Sequence, residues 1–137
     1  TMATTKIEAT NRELLEVFRG LESVKSIKGA RFSVLVGKNL KELRYKLQPI
    51  EKAAEPPFEF QEVSVKMQAL TESNDQEAIA SLEKDNEHLI TERKAQLNAV
   101  EDMLDEDTEV YLHIIKESQL PEDITGEHIE KLLKIIQ

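Results

Sequence analysis

The stretch FSVLVGKNLKELRYKLQPI, residues 32–50, decides the fold class. Its first five residues would suit a buried strand, because β-branched residues such as valine favour strands. Over the whole stretch, however, apolar side chains recur at steps of 4, 4, 3, 4 and 3, which places them on one face of a helix. The spacing therefore predicts a helix over about residues 30–54. It should end before Pro56-Pro57, because a residue that precedes proline is disfavoured in the helical conformation. The apolar positions are Phe32, Val36, Leu40, Leu43, Leu47 and Ile50.

Gly37 lies inside this predicted helix. Glycine in a helix interior costs roughly 1 kcal/mol relative to alanine. Because glycine has no side chain, we expect position 37 to permit the close approach of another backbone.

Another helix is predicted over about residues 11–24. Thr10 and Glu13 have the spacing of a capping box, in which each side chain accepts a hydrogen bond from the other residue's backbone N–H. Apolar residues then recur every three or four positions and form a single stripe. They are Leu14, Val17, Phe18, Leu21 and Val24.

Two segments far apart in the sequence predict a short two-stranded β ribbon. Residues 109–115, EVYLHII, follow an acidic break and have the composition of a strand. Residues 4–8, TTKIE, alternate weakly and are too short to form a strand alone. We therefore expect these two segments to pair with each other.

The middle of the chain leaves alternatives open. In residues 58–70 the apolar positions nearly alternate, as in a strand, but several also fit a helix, which we favour. The next helix is predicted over about residues 74–105, beginning with a capping box at Ser73-Asn74-Asp75-Gln76. In a heptad pattern, Asn86 and Arg93 occupy positions that a coiled coil fills with aliphatic residues. Either this helix packs in an irregular bundle with both groups in solvent, or Asn86 sets the register of a homodimer through the 74–105 helix.

The last residues predict a turn followed by a helix. Leu120-Pro121-Glu122-Asp123 has turn composition. Thr125 follows as the N-cap, with Ile124 and Ile129 at the spacing of a hydrophobic staple. The apolar face of the helix is predicted to contain Ile129, Leu132, Leu133 and Ile136.

Length and composition agree with this pattern. With 137 residues, the chain is long enough for one hydrophobic core, so we expect a single helical domain over residues 1–137. The expected fold is mainly α, an irregular helical bundle with one long helix and a short two-stranded β ribbon. No stretch approaches the roughly 18 apolar residues of a membrane span, so we expect no membrane association.

The sequence contains no recognisable catalytic or cofactor motif. It has no cysteine, which excludes thiol nucleophiles and thiolate metal sites, and its four isolated glycines form no phosphate-binding loop. His88, His113 and His128 lack partners at the spacing of a helical metal motif. We therefore expect no enzymatic activity, no cofactor and no bound metal.

Charge is distributed unevenly along the chain. Residues 1–52 carry a net charge of +5 and residues 53–137 a net charge of −14, which together give −9. The two halves either pair with each other or present two faces to two partners. Nucleic-acid binding is not expected, because the overall charge repels phosphate.

The densest acidic segment spans residues 101–109 and holds six carboxylates. Three interpretations are open: a solvated helix end, a contact for a basic protein surface, or a cation-binding site. The segment lacks the glycine and the ligand spacing of an EF-hand loop, which weighs against cation binding. The basic surface could belong to this chain, at Lys38, Lys41, Arg44 and Lys46. The candidate partner-binding residues are Glu101, Asp102, Asp105, Glu106, Asp107, Glu109, Lys38, Lys41 and Arg44.

In order of elements, the chain resembles a family of small proteins encoded by tailed bacteriophages. The resemblance rests on the helix NRELLEVF at 11–18, the run KGARF at 28–32 leading to KNLKEL at 38–43, and the ending LPEDITG at 120–126 followed by Ile129 and Leu132. It implies a phage accessory protein that acts in the cytoplasm of a bacterial host or in virion assembly. We therefore expect a non-enzymatic protein that binds a host or phage protein through a charged helical surface. The alternative that it implies is a structural or assembly component of the virion, such as a chaperone or connector.

Overall fold

The computed structural model describes residues 3–137. The described chain is mainly α-helical, with six α-helices and one two-stranded antiparallel sheet, which confirms the expected fold class. Two single 3₁₀ turns lie at Glu117–Gln119 and Leu133–Ile135. The elements are β1 (Thr4–Thr10), α1 (Asn11–Val24), α2 (Ala30–Ala54), α3 (Phe58–Glu72), α4 (Gln76–Asp85), α5 (Glu87–Leu104), β2 (Asp107–His113) and α6 (Gly126–Lys131).

The chain divides into two compact units, which are described separately. Unit 1 contains the residues up to Pro49 together with Met103–Gln137, and unit 2 contains Ile50–Asp102. Helices α2 and α5 each contribute residues to both units. The expectation of a single domain over residues 1–137 stays a prediction.

Unit 1 holds most of the hydrophobic core. Helix α1 begins at the predicted capping box, in which the Thr10 hydroxyl accepts from the Glu13 N–H at 3.1 Å and the Glu13 carboxylate accepts from the Thr10 N–H at 3.2 Å. The predicted stripe of α1 is buried except at Phe18, which is half-buried. Of the twenty buried apolar residues in the described chain, eighteen lie in unit 1.

The β ribbon confirms the predicted pairing. Ile7 lies opposite Val110, and both face the core, whereas Lys6 and Tyr111 face outward on the other side of the ribbon. Strand β2 ends at His113, earlier than predicted. The predicted strand end at Ile115 forms an isolated parallel bridge with Ile136 instead.

Helix α2 confirms the helical alternative for residues 30–54 and continues through Pro49. The prediction for Gly37 is wrong, because a Cβ at that position would meet nothing within 4 Å. The close approach occurs at Gly20 in α1, where a Cβ would lie 2.8 Å from the Cβ of Lys131 in α6. The lack of a side chain at Gly20 therefore allows these two helices to pack.

In unit 2, residues 58–70 are helical, and they form most of α3. The prediction of one helix over 74–105 is wrong, because Asn86 interrupts it with φ −119° and ψ 24°. The Asn86 side chain donates to the Leu82 carbonyl at 3.0 Å, and such a local bond competes with the helical backbone. Residues 74–105 therefore contain two helices that meet at Asn86, and the homodimer stays a prediction.

The predicted capping box at Ser73–Gln76 is also wrong. The Ser73 N–H bonds to the Ala69 carbonyl and ends α3, while Asn74 has a left-handed φ of 57°. Asp75 is the actual N-cap of α4, and its carboxylate accepts from the Ala78 N–H at 3.1 Å.

Arg93 is half-buried, in contrast to the alternative in which it faces solvent. Its guanidinium donates to the Ala54 carbonyl at 2.9 Å and lies 5.7 Å from the centre of the Phe60 ring. Gln96 donates to the carbonyls of Ala53 and Glu55 at 2.8 and 2.7 Å. These polar side chains of α5 therefore satisfy carbonyl groups at the end of α2.

The final helix begins as predicted. The Thr125 hydroxyl accepts from the His128 N–H at 3.2 Å. However, α6 ends at Lys131, so the predicted apolar face does not continue as one helix. In the 3₁₀ turn that follows, Ile135 is buried and Leu133 is exposed.

Candidate functional site

The acidic segment is anchored to the beginning of α1. The side-chain amide of Asn11 donates to the Met103 carbonyl at 2.8 Å, and the Asn11 N–H bonds to the Glu106 carbonyl at 3.1 Å. Arg12 Nε lies 3.1 Å from Asp105 Oδ1. The turn between α5 and β2 is therefore fixed by two consecutive residues of α1.

The acidic residues of β2 also have a partner within unit 1. Lys6 Nζ lies 3.1 Å from both Glu109 Oε2 and Glu8 Oε1 on the outer face of the ribbon. Its hydrogen bonds to Glu109 and then to Glu8 raise the pKa of Lys6 above its ordinary value. The local partners of Asp105 and Glu109 are therefore Arg12 and Lys6, and not the basic residues of α2 that the charge pattern suggested.

The predicted acidic residues do not all belong to one unit. Glu101 and Asp102 lie in α5 within unit 2, whereas Asp105, Glu106, Asp107 and Glu109 lie in unit 1. All six side chains are exposed. Among residues 3–137, no group of three histidine or acidic side chains is arranged to hold a metal ion.

The three basic candidates on α2 have different surroundings. Arg44 Nη2 lies 2.8 Å from Glu22 Oε1 of α1, and its guanidinium is 5.7 Å from the centre of the Phe18 ring. Hydrogen bonds from Lys25 and then Arg44 lower the pKa of Glu22. Lys38 and Lys41 are exposed, and neither forms an ion pair or a side-chain hydrogen bond within the described chain, residues 3–137.

Lys38 and Lys41 belong to a longer exposed surface, the α2 basic face. Its members recur at steps of 3, 4, 3 and 4, so they share one side of the helix. Two of them are not charged: Tyr45 is 80% exposed and Val34 is 49% exposed. Over residues 30–49, α2 has five basic side chains and one acidic side chain, Glu42. We define the α2 basic face as Arg31, Val34, Lys38, Lys41 and Tyr45.

Val34 and Tyr45 are not among the site residues predicted from the sequence. Their exposure could have been predicted from the sequence, because both residues fall on the side of α2 opposite the apolar stripe. Phe32, the other aromatic residue near the basic run, is 1% exposed and belongs to the core. Tyr45 is therefore the aromatic side chain of this surface.

Unit 2 has a different candidate surface, an open groove with a volume of about 720 Å³. Helices α3, α4 and α5 form its walls, and several of the lining side chains are apolar. We define the unit 2 groove by its apolar lining, which consists of Phe60, Val63, Met67, Ala80 and Ile90.

The three histidines do not converge. His88 is exposed on α5, and the His128 ring accepts from the Thr125 N–H at 3.4 Å. His113 Nδ1 is buried and has no hydrogen-bond partner.

Comparisons with protein-family models, with curated proteins and with solved structures found no match to this chain. Among residues 3–137, no helix combines the length and the apolar composition that a membrane crossing requires.

Proposed function

We propose that this protein is a non-enzymatic accessory protein that binds an acidic surface of another protein through the α2 basic face. One observation carries the proposal: Lys38 and Lys41 have no partner within the described chain and lie beside the highly exposed Tyr45. Solvated lysines alone are ordinary on a protein surface, but aromatic side chains are enriched in interfaces. The combination suits a contact in which Tyr45 supplies apolar area and the lysines supply electrostatic complementarity.

The acidic segment at residues 101–109 is less suited to bind a partner than the α2 basic face. Asp105 and Glu109 already have basic partners in unit 1, and Asn11 holds the backbone of the same turn. A partner that used these carboxylates would compete with these local contacts. We therefore assign Asp105 and Glu109 a structural role and propose that the partner contacts α2.

The resemblance to phage proteins supplies the context of the proposal. The partner is then a host or phage protein, met in the cytoplasm of a bacterial host. The alternative function is a structural or assembly component of the virion, such as a chaperone or connector. The same basic face would then contact another virion protein.

Affinity capture from infected cells, followed by mass spectrometry, tests the proposal. The wild-type chain is compared with the double variant Lys38→Glu/Lys41→Glu. The control is Lys116→Glu/Lys131→Glu, which changes the net charge equally at exposed positions outside α2.

A host protein, or a phage protein outside the virion, that is lost with the α2 variant and retained with the control supports the proposed function. If the proteins lost in this way are all virion components, the alternative is correct. If nucleic acid is lost instead, or if the same proteins are captured by all three chains, the proposal is wrong.

A further inference from the structure

Unit 2 buries little of its own apolar surface. Within residues 50–102, Val63 and Val100 are the buried apolar side chains, each 8% exposed. Phe60, Met67 and Ile90 are half-buried along the unit 2 groove. A concave surface of partly covered apolar groups is typical of a binding site, because covering these groups removes more apolar area from water.

The shape and chemistry of the groove suit a helix. Its apolar side chains come from three helices, so its floor is wider than a single side-chain pocket. Helix-binding grooves accept apolar residues spaced at i, i+3, i+4 and i+7. Methionine, present here as Met67, adapts its shape readily to an apolar partner.

The net charge of unit 2 favours a positively charged helix over a second copy of the chain as the occupant of the groove. Residues 50–102 contain thirteen acidic and five basic side chains, so unit 2 has a net charge of −8 out of −9 for the whole chain. A second copy would bring two such units together against their mutual repulsion. A positively charged helix is attracted instead. Within the groove itself, Glu83 and Glu87 offer contacts to such a helix beside Lys84 and Lys94.

From these observations we propose that the unit 2 groove binds a basic amphipathic helix of a partner protein. The apolar face of that helix would cover Phe60, Met67 and Ile90. Its basic residues would face the acidic surface of unit 2. This interaction is separate from the α2 basic face, which would take a partner of the opposite charge.

The test uses the full chain and a fluorescein-labelled peptide of about 18 residues, with leucines at i, i+3, i+4 and i+7 and lysines on the other face. Binding is measured by fluorescence anisotropy. One control peptide has the same composition in scrambled order, and another replaces each lysine with glutamate. These controls separate the apolar pattern from charge.

Two variants fill the groove from opposite walls. Ser64→Trp on α3 and Ala80→Trp on α4 place a large ring at exposed lining positions, while Gln68→Trp on α3 lies outside the lining and is the matched control. Circular dichroism establishes that each variant keeps the helical content of the wild-type chain. If one filling variant fails this check, the other decides the result.

The proposal predicts that the basic peptide binds at least about tenfold more tightly than either control peptide. Each filling variant should weaken binding by at least about tenfold, and Gln68→Trp by less than about twofold. Lys116→Glu/Lys131→Glu, outside both proposed surfaces, should change peptide binding by less than about twofold. The peptide assay does not involve the partner of the α2 basic face, so the two proposals can fail independently.

Equal binding of the basic and scrambled peptides would overturn the proposal, as would binding that is insensitive to both filling variants. Sedimentation of the free chain tests whether a second copy of the chain occupies the groove. If the chain forms a dimer that Ser64→Trp dissociates, the groove is occupied by a second copy and the proposal is wrong.

Discussion

The side-chain amide of Asn39 in α2 pairs with both backbone polar groups of His113 at the end of β2. Asn39 Oδ1 accepts from the His113 N–H at 2.7 Å, and Asn39 Nδ2 donates to the His113 carbonyl at 2.9 Å. Asn39 is 0% exposed. In an antiparallel pair, alternate residues direct their polar groups away from the partner strand. A buried amide therefore provides for His113 the two hydrogen bonds that a further strand would supply.

We expect Asn39→Leu to lower the free energy of unfolding by about 2–4 kcal/mol, because it leaves a buried donor and a buried acceptor without partners. Urea unfolding measures the change. Gln48→Leu, at an exposed position of the same helix, is the control and should change stability by less than about 0.5 kcal/mol. If Asn39→Leu lowers the free energy of unfolding by less than about 1 kcal/mol, the two hydrogen bonds contribute little to stability and the expectation is wrong.

Gly20 and Gly37 should respond in opposite ways to alanine. At Gly37 a Cβ meets nothing within 4 Å, so alanine should raise the free energy of unfolding by about 0.5–1 kcal/mol through its higher helix propensity. At Gly20 the new Cβ would lie 2.8 Å from Lys131 Cβ, and we expect a loss of about 1–3 kcal/mol from overpacking. Thermal and urea unfolding of the two variants check the signs. Stabilisation by Gly20→Ala would contradict the close packing of α1 on α6.

Glu22 makes stability depend on pH in the acid range. Its partners Lys25 and Arg44 lower its folded-state pKa below the ordinary value of 4.5. A lowered folded-state pKa gives a contribution that is present above about pH 4.5 and is lost as the pH falls through the folded-state pKa. We expect Glu22→Gln to lower the melting temperature at pH 7 and to have little effect near pH 2. An equal effect at both pH values would contradict this assignment.

Charge reversal in the acidic segment tests separately whether the partner contacts the α2 basic face. The triple variant Asp105→Lys/Glu106→Lys/Asp107→Lys removes the Arg12–Asp105 contact and should lower the melting temperature. Because the proposed partner contacts α2, this variant should change partner affinity by less than about threefold, which is within about 0.7 kcal/mol. A loss of partner binding without a loss of stability would move the contact to the acidic segment.

The helices of unit 1 could be predicted because their apolar residues form regular stripes that the core then buries. Asn39 was not recognised, because a polar residue beside the stripe gives no sign of its partner 74 residues away. The break at Asn86 was missed for another reason. Apolar residues continue at helical spacing on both sides of it, whereas the break itself consists of non-helical backbone angles at Asn86 and a local side-chain bond to Leu82.

The candidate surfaces were predictable to different degrees. Composition alone identified the acidic segment and the basic residues of α2. Their actual partners were not predictable, because Arg12 and Asp105 meet only after folding, across 93 residues of sequence. The unit 2 groove combines side chains from three helices, and no sequence spacing indicates such a surface.

The claim that the α2 basic face binds the partner is tested most directly by the affinity of the purified partner, once captured, for the wild-type chain and the two double variants. Isothermal titration should show Lys38→Glu/Lys41→Glu binding at least about tenfold more weakly than the wild-type chain, a loss of about 1.4 kcal/mol or more. Lys116→Glu/Lys131→Glu should remain within about twofold of the wild-type chain. Equal affinities for the two double variants would contradict the claim that the α2 basic face is the binding surface.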